Sequence, residues 1–192
     1  MDASAAKSEL RARAIAFRRG LSPGEVRDRG WRMWALLGNV PRYALAQGIL
    51  VCASFDNEPD TCAVLERAPR VKRVYVPRAI VASRELAIHP YPTELHPSRW
   101  GVPEPLPTAP VVAPQEVRRV VDVAVLVGLA FGRGNLVRLG YGAGFFDRFL
   151  SAHPVYAIGL CYDELLVDGL PRSEWDVPMH AVVTDRRVLF RV

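Results

Sequence analysis

From Ala5 to Arg19 the chain sets Leu10, Ala14 and Phe17 on one side of a helical repeat and Lys7, Arg11 and Arg18 on another, the pattern of an amphipathic helix. Ser22-Pro23-Gly24-Glu25 combines a capping-box spacing with proline at the first helical position, which predicts a second helix from about Pro23 to Leu37. GILVCASF, starting at Gly48, reads as a buried strand, and NEPDT after it as a turn opening a short helix through about Arg67. RVYVP is a further strand, stopped by Pro77. Residues 88–114 carry too many prolines for a long element and read as a folded loop with room for a short helix. VDVAVLVGLAF is apolar on both faces and therefore a central strand. A glycine-rich stretch, a helix from about Phe145, the strand VYAIGLCY, the turn DGLP and a last strand near HAVVTD complete the chain. Strands alternating with helices of this length predict a layered, Rossmann-like α/β fold, with an open, largely parallel sheet and helices on both faces.

The glycine-rich stretch, RLGYGAGFFDRF at residues 138–149, falls between the central strand and a helix, where open parallel sheets bind their ligands. Glycines let backbone amides approach an anion without Cβ obstruction, and the free amides of the first helical turn add partial positive charge. The helix dipole gives only about 0.3–1 kcal/mol, too little for a triphosphate. Arg138 can add a bidentate charge, and Asp147, in the first turn, can hold a magnesium ion shared with phosphates. The spacing is neither GxGxxG nor a P-loop, and the same residues also fit a tight turn with Arg138 on the surface and Asp147 complementing the dipole. Phe145 with Phe149, and Phe146 with Leu150, have the i,i+4 spacing of core packing.

Composition narrows the ligand. At 192 residues, half of them hydrophobic, the chain suits one well-buried domain. The charged N-terminal stretch lacks the apolar run of a signal peptide, and no segment approaches the ~18 apolar residues of a membrane span, so a soluble, cytoplasmic protein is expected. Cys52, Cys62 and Cys161 lack metal or disulfide spacing and read as free thiols, and the four histidines form no metal motif. A formal charge of +5 favours an anionic ligand. Nearly all of the positive charge is arginine; Lys7 and Lys72 are the only lysines, which makes Lys7 informative.

The segment LVGLAFGRGNLVRLGYGAGFFDRFL closely resembles the signature of the 5-formyltetrahydrofolate cyclo-ligases, also called 5,10-methenyltetrahydrofolate synthetases. KSELRARAIAFRRGLSP, SFDNEPDT, RVYVPR, RWGVPEP and DGLPRSEWDVPMHAVVTD match in the same order, so the resemblance spans essentially the whole chain. It implies ATP-dependent closure of 5-formyltetrahydrofolate, with or without a polyglutamate tail, to the 5,10-methenyl form, with release of ADP and phosphate. The formyl oxygen would take the γ-phosphoryl group and nitrogen 10 would attack that carbon, with no covalent enzyme intermediate. Catalysis would be positioning and charge stabilisation.

The resemblance assigns Lys7 and Arg11 to the ATP phosphates, Glu58 to the pterin, and Trp100 to the folate pocket. It places Arg138, Gly140, Tyr141, Gly142, Ala143, Gly144, Phe145 and Phe146 around the phosphates and folate, with Tyr141 reaching both, and makes Asp147 a magnesium ligand and, with Arg138, catalytic. The chain departs from the family at Val127, commonly proline; at Gly132, commonly aspartate; and at Phe145 and Phe146, commonly a tyrosine pair. His180 stands where an aspartate that can be a second metal ligand is expected. A monomer or weak dimer is expected, with no membrane. The other reading is a protein of this fold that binds nucleotide or RNA without cyclisation. No aromatic-and-basic interleaving supports nucleic acid.

Overall fold

The computed structural model describes residues 3–191. Helix α1 (Ala3–Arg19) leads into α2 (Pro23–Gly38), which begins with the predicted capping box: the Ser22 hydroxyl accepts from the Glu25 N–H, and the Glu25 carboxylate accepts from the Ser22 N–H. Next come α3 (Pro41–Leu45), β1 (Gly48–Val51) and α4 (Cys62–Arg67). Strands β2 (Arg73–Ile80) and β3 (Glu85–Tyr91) form a hairpin, and β4 (Leu95–Pro97) with β5 (Pro103–Pro105) forms a small ribbon. After α5 (Val117–Val120), β6 (Val123–Val127) is followed by β7 (Ala130–Gly132) and β8 (Arg138–Leu139). Helix α6 (Phe145–Ala152), β9 (Tyr156–Leu160), β10 (Leu166–Val167), β11 (Ala181–Val183) and β12 (Val188–Phe190) complete the chain.

The main sheet has seven strands in the order β12-β11-β9-β6-β1-β2-β3. The five inner strands run parallel, and both edge strands, β12 and β3, run antiparallel to their neighbours. Every residue of β1 and β6 is buried, as expected of strands covered on both faces. Helices flank the sheet: α2 packs beside β11, and α6 reaches β3. The expected α/β architecture with a mostly parallel sheet is therefore present.

Four local readings are corrected. Pro77 does not stop β2, because β1 pairs with β2 only as far as Tyr75 and a missing N–H beyond that point interrupts no ladder on that side. Part of the proline-rich segment is strand: residues 88–91 belong to β3, and the β4–β5 ribbon lies further on. VDVAVLVGLAF is two strands, since β7 leaves the main sheet to join β8 and β10 in a separate three-stranded sheet. The glycine stretch thus follows β8 rather than the central strand itself. A backbone bond from the Leu129 N–H to the Leu139 carbonyl (2.8 Å) brings it back to the carboxyl end of β6.

Candidate active site

The carboxyl ends of β1 and β6 open into a cavity of about 750 Å³. Lys7, Arg11, Glu58, Trp100, Arg138 and the run from Gly140 to Asp147 all line it, so the structure brings together every site residue expected from the sequence. Helix α1 forms part of its wall. The face bearing Lys7, Arg11 and Arg18 points toward the site rather than to solvent, and Arg18 is only 1% exposed.

One end of the cavity gathers cations around the glycine turn. Arg138 is buried beneath the turn: its guanidinium lies 3.3 Å from Asp147 Oδ2 and 5.1 Å from the centre of the Phe146 ring. Its Nε is buried and has no hydrogen-bond partner among the described residues. A Cβ on Gly140 would sit 2.5 Å from that guanidinium, so glycine there is a condition for the arginine's position. Gly144 caps α6 at φ +72°, a left-handed conformation that favours glycine. Arg11 Nε donates to the Gly140 carbonyl at 2.9 Å, fastening α1 to the turn. Lys7 Nζ lies 2.6 Å from Asp176 Oδ2 and 3.0 Å from Ser173 Oγ.

Aromatic rings line the same cavity, two of them carried by the glycine turn itself. Trp100 meets Phe145 edge-on at 6.1 Å, and Phe55 lies 5.9 Å from Tyr141. Between them and the floor sits Glu58, 7% exposed, with Arg18 at 3.4 Å and the Phe55 N–H donating to its Oε2 at 3.3 Å. Burial pushes the Glu58 carboxyl up to about 7, outweighing the opposing pull of Arg18 and that N–H. Arg18 also donates to the carbonyls of Phe55 and Asp56, so it shapes the loop that carries Glu58.

Glu104 and Asp176 also line this cavity, and Arg18 backs it through Glu58; the sequence alone assigned none of them a role there. The helical spacing of Arg18 with Lys7 and Arg11 is a usable signal, whereas Glu104 and Asp176 sit inside quoted motifs without distinguishing spacing. His180 does not line the cavity that holds Asp147. It lies in a separate cleft of about 420 Å³, stacked on Tyr156 at 4.6 Å, with Nδ1 accepting the Ala157 N–H at 3.0 Å. The carboxylate linked to Asp147 in this cavity is that of Asp176, whose neighbour Val177 donates its N–H to Asp147 Oδ1 at 3.1 Å. Among the described residues no cluster of three potential protein ligands surrounds a metal position. No helix there is long and apolar enough to cross a membrane.

An open parallel sheet whose strand ends open into a cleft lined by an arginine-and-glycine turn, aromatic rings and a buried carboxyl is the architecture of an α/β protein with a candidate small-molecule site at those ends. Residues 3–185 match the model of the 5-formyltetrahydrofolate cyclo-ligase family, and the chain belongs to that family. It is 34% identical over 178 residues to the 5-formyltetrahydrofolate cyclo-ligase of Escherichia coli (strain K12), covering 89% of this chain and 96% of that protein. The Mycolicibacterium smegmatis protein of the same name is 31% identical over 200 residues, 94% of each chain. The NMR structure of Aquifex aeolicus 5,10-methenyltetrahydrofolate synthetase superposes with a TM-score of 0.80 at 26% identity, over 96% of this chain and 92% of that one.

Proposed function

We propose that this protein closes 5-formyltetrahydrofolate to 5,10-methenyltetrahydrofolate with ATP, releasing ADP and phosphate. The carrying observation is that one cavity joins the cation-lined glycine turn to the aromatic wall and Glu58, as a reaction between a triphosphate and a pterin requires. Lys7, Arg11 and Arg138 receive the phosphates, with the amides of the turn adding donors. The Glu58 carboxylate accepts N–H groups of the pterin, and Trp100 flanks the aryl group. In the first step the formyl oxygen bonds to the γ-phosphorus as the bond to ADP breaks. In the second, nitrogen 10 bonds to the formyl carbon, the carbon–oxygen bond to phosphate breaks, and the nitrogen loses its proton. Arg138, buried and preorganised, is the group placed to stabilise charge on the transferring phosphoryl.

Asp147 and Asp176 are hard oxygen donors at the phosphate end, and their bonds to Lys7, Arg138 and backbone N–H groups leave lone pairs free. With phosphate oxygens and water they fit magnesium, which needs few protein ligands. When bound, magnesium would neutralise phosphate charge. The free thiols among the described residues suit a cytoplasmic location.

The test is purified protein with 5-formyltetrahydrofolate and Mg-ATP, followed by the methenyl chromophore. Product is expected only with nucleotide and divalent cation together. Product without nucleotide, or none under any condition together with salt-sensitive RNA binding, overturns the reading.

A further inference from the structure

Four carboxylates line the cavity, and three of them have a cation at ion-pair distance: Glu58 has Arg18 at 3.4 Å, Asp147 has Arg138 at 3.3 Å and Asp176 has Lys7 at 2.6 Å. Glu104 is the exception. Among the described residues it forms no ion pair, and its one hydrogen bond is a long one, from the Ala79 N–H to Oε1 at 3.4 Å. Its surroundings in the cavity are apolar, including Pro77, Ala79, Leu86 and Val102. Burial raises its carboxyl above the usual value, against the pull of the Ala79 N–H and the Arg78 charge. A half-buried carboxylate with so little donation is an acceptor with capacity for a further donor.

The position of Glu104 says which donor. It lies on β5, and the turn of the β4–β5 ribbon carries Trp100, so the aryl-flanking indole and Glu104 share one small element. Glu58, Trp100 and Arg138 line the same cavity as Glu104, so a folate held by the first two with its formyl group toward Arg138 passes the Glu104 carboxylate with the secondary amine that joins pterin to aryl ring.

On the cyclo-ligase reading above, we propose that Glu104 contacts the substrate by accepting a hydrogen bond from the N–H of nitrogen 10, aligning that nitrogen's lone pair on the activated formyl carbon. Its role falls in ring closure and not in phosphoryl transfer. Losing an acceptor of this kind slows ring closure on the order of 10- to 100-fold, while phosphorylation of the formyl oxygen proceeds. The phosphorylated intermediate then waits, or water adds to its formyl carbon and returns 5-formyltetrahydrofolate and phosphate.

The test compares Glu104→Leu and Glu104→Gln with the parent by rapid quench, reading ADP and methenyl product in the same samples. In Glu104→Leu, ADP is expected to run ahead of methenyl product, as a burst or a continuing excess. Glu104→Gln keeps an acceptor carbonyl and is expected to stay within about 3-fold of the parent with ADP and product in step. Glu104→Leu turning over like the parent overturns the assignment, as does equal loss of ADP and product, which would place Glu104 before ring closure. Glu104→Gln failing as badly as Glu104→Leu overturns the acceptor role in favour of proton transfer to the carboxylate. Retained circular dichroism and folate binding establish that Glu104→Leu is folded; if it is not, the Glu104→Gln comparison decides. Absence of product from the parent indicts the cyclo-ligase reading itself.

Discussion

Acidification should weaken folate binding through Glu58. Burial pushes this carboxyl up to about 7 from the usual 4.5, with Arg18 and the Phe55 N–H opposing the shift. The binding-competent form on our reading is the carboxylate, so the apparent affinity is the intrinsic affinity multiplied by the ionised fraction. That fraction is about nine-tenths at pH 8 and about one-tenth at pH 6, so the dissociation constant for 5-formyltetrahydrofolate should rise about tenfold between them. The stability of the free protein runs in the opposite sense. A carboxyl whose folded value is raised contributes stability that is fully present below the unfolded value near 4.5 and lost as pH rises through 7. The full shift corresponds to about 3 kcal/mol at most. Equilibrium folate titrations without ATP, across that pH range, provide the assay. Glu58→Gln should bind weakly with a flat profile, which also controls for titration elsewhere. A flat profile in the parent, or tighter binding on acidification, refutes the reasoning.

Arg138→Ala should slow turnover on the order of 100-fold, as for loss of one preorganised charge-stabilising donor, and steady-state rates check this. Gly140→Ala should reproduce part of that loss by pushing a Cβ into the space 2.5 Å from the guanidinium, with the unfolding midpoint showing that the fold survives. Arg18→Met removes the partner of a buried carboxylate and should lower stability by about 3 kcal/mol in denaturant titrations above pH 7, with a smaller effect at pH 5, where Glu58 is protonated. His180→Asp should leave the magnesium concentration for half-maximal rate unchanged, whereas Asp176→Asn should raise it; a shift in the former would return position 180 to the metal site.

The periodicity and capping signals were local, and they hold in the structure. The Ser22–Glu25 box starts α2 where the spacing places it, and the apolar run through Val123–Val127 is the center of the sheet. The glycine turn was legible for the same reason: positions such as Gly144, which adopts a left-handed conformation, restrict the residue type itself. The proline-rich segment misled because proline is unfavourable in a strand only where a neighbour needs its N–H. Whether such a neighbour exists beside Pro77 or Pro90 depends on where β1 ends and on which strand forms the edge.

By itself the sequence determined the main helices, the core of the central strand and the glycine turn, and through motif order which family the chain joins. Only the tertiary structure decided which charged residues share the cavity and which of them lack partners. Arg18 and Glu104 look like ordinary surface charges in a linear reading, and nothing there tells what Lys7 or Glu58 pairs with. Packing of α1 over the strand ends buries Arg18 and Glu58 against each other, turns Lys7 toward Asp176, and leaves Glu104 in an apolar wall. Electrostatic character depends on distance and desolvation, and both arise only when residues far apart in the chain meet.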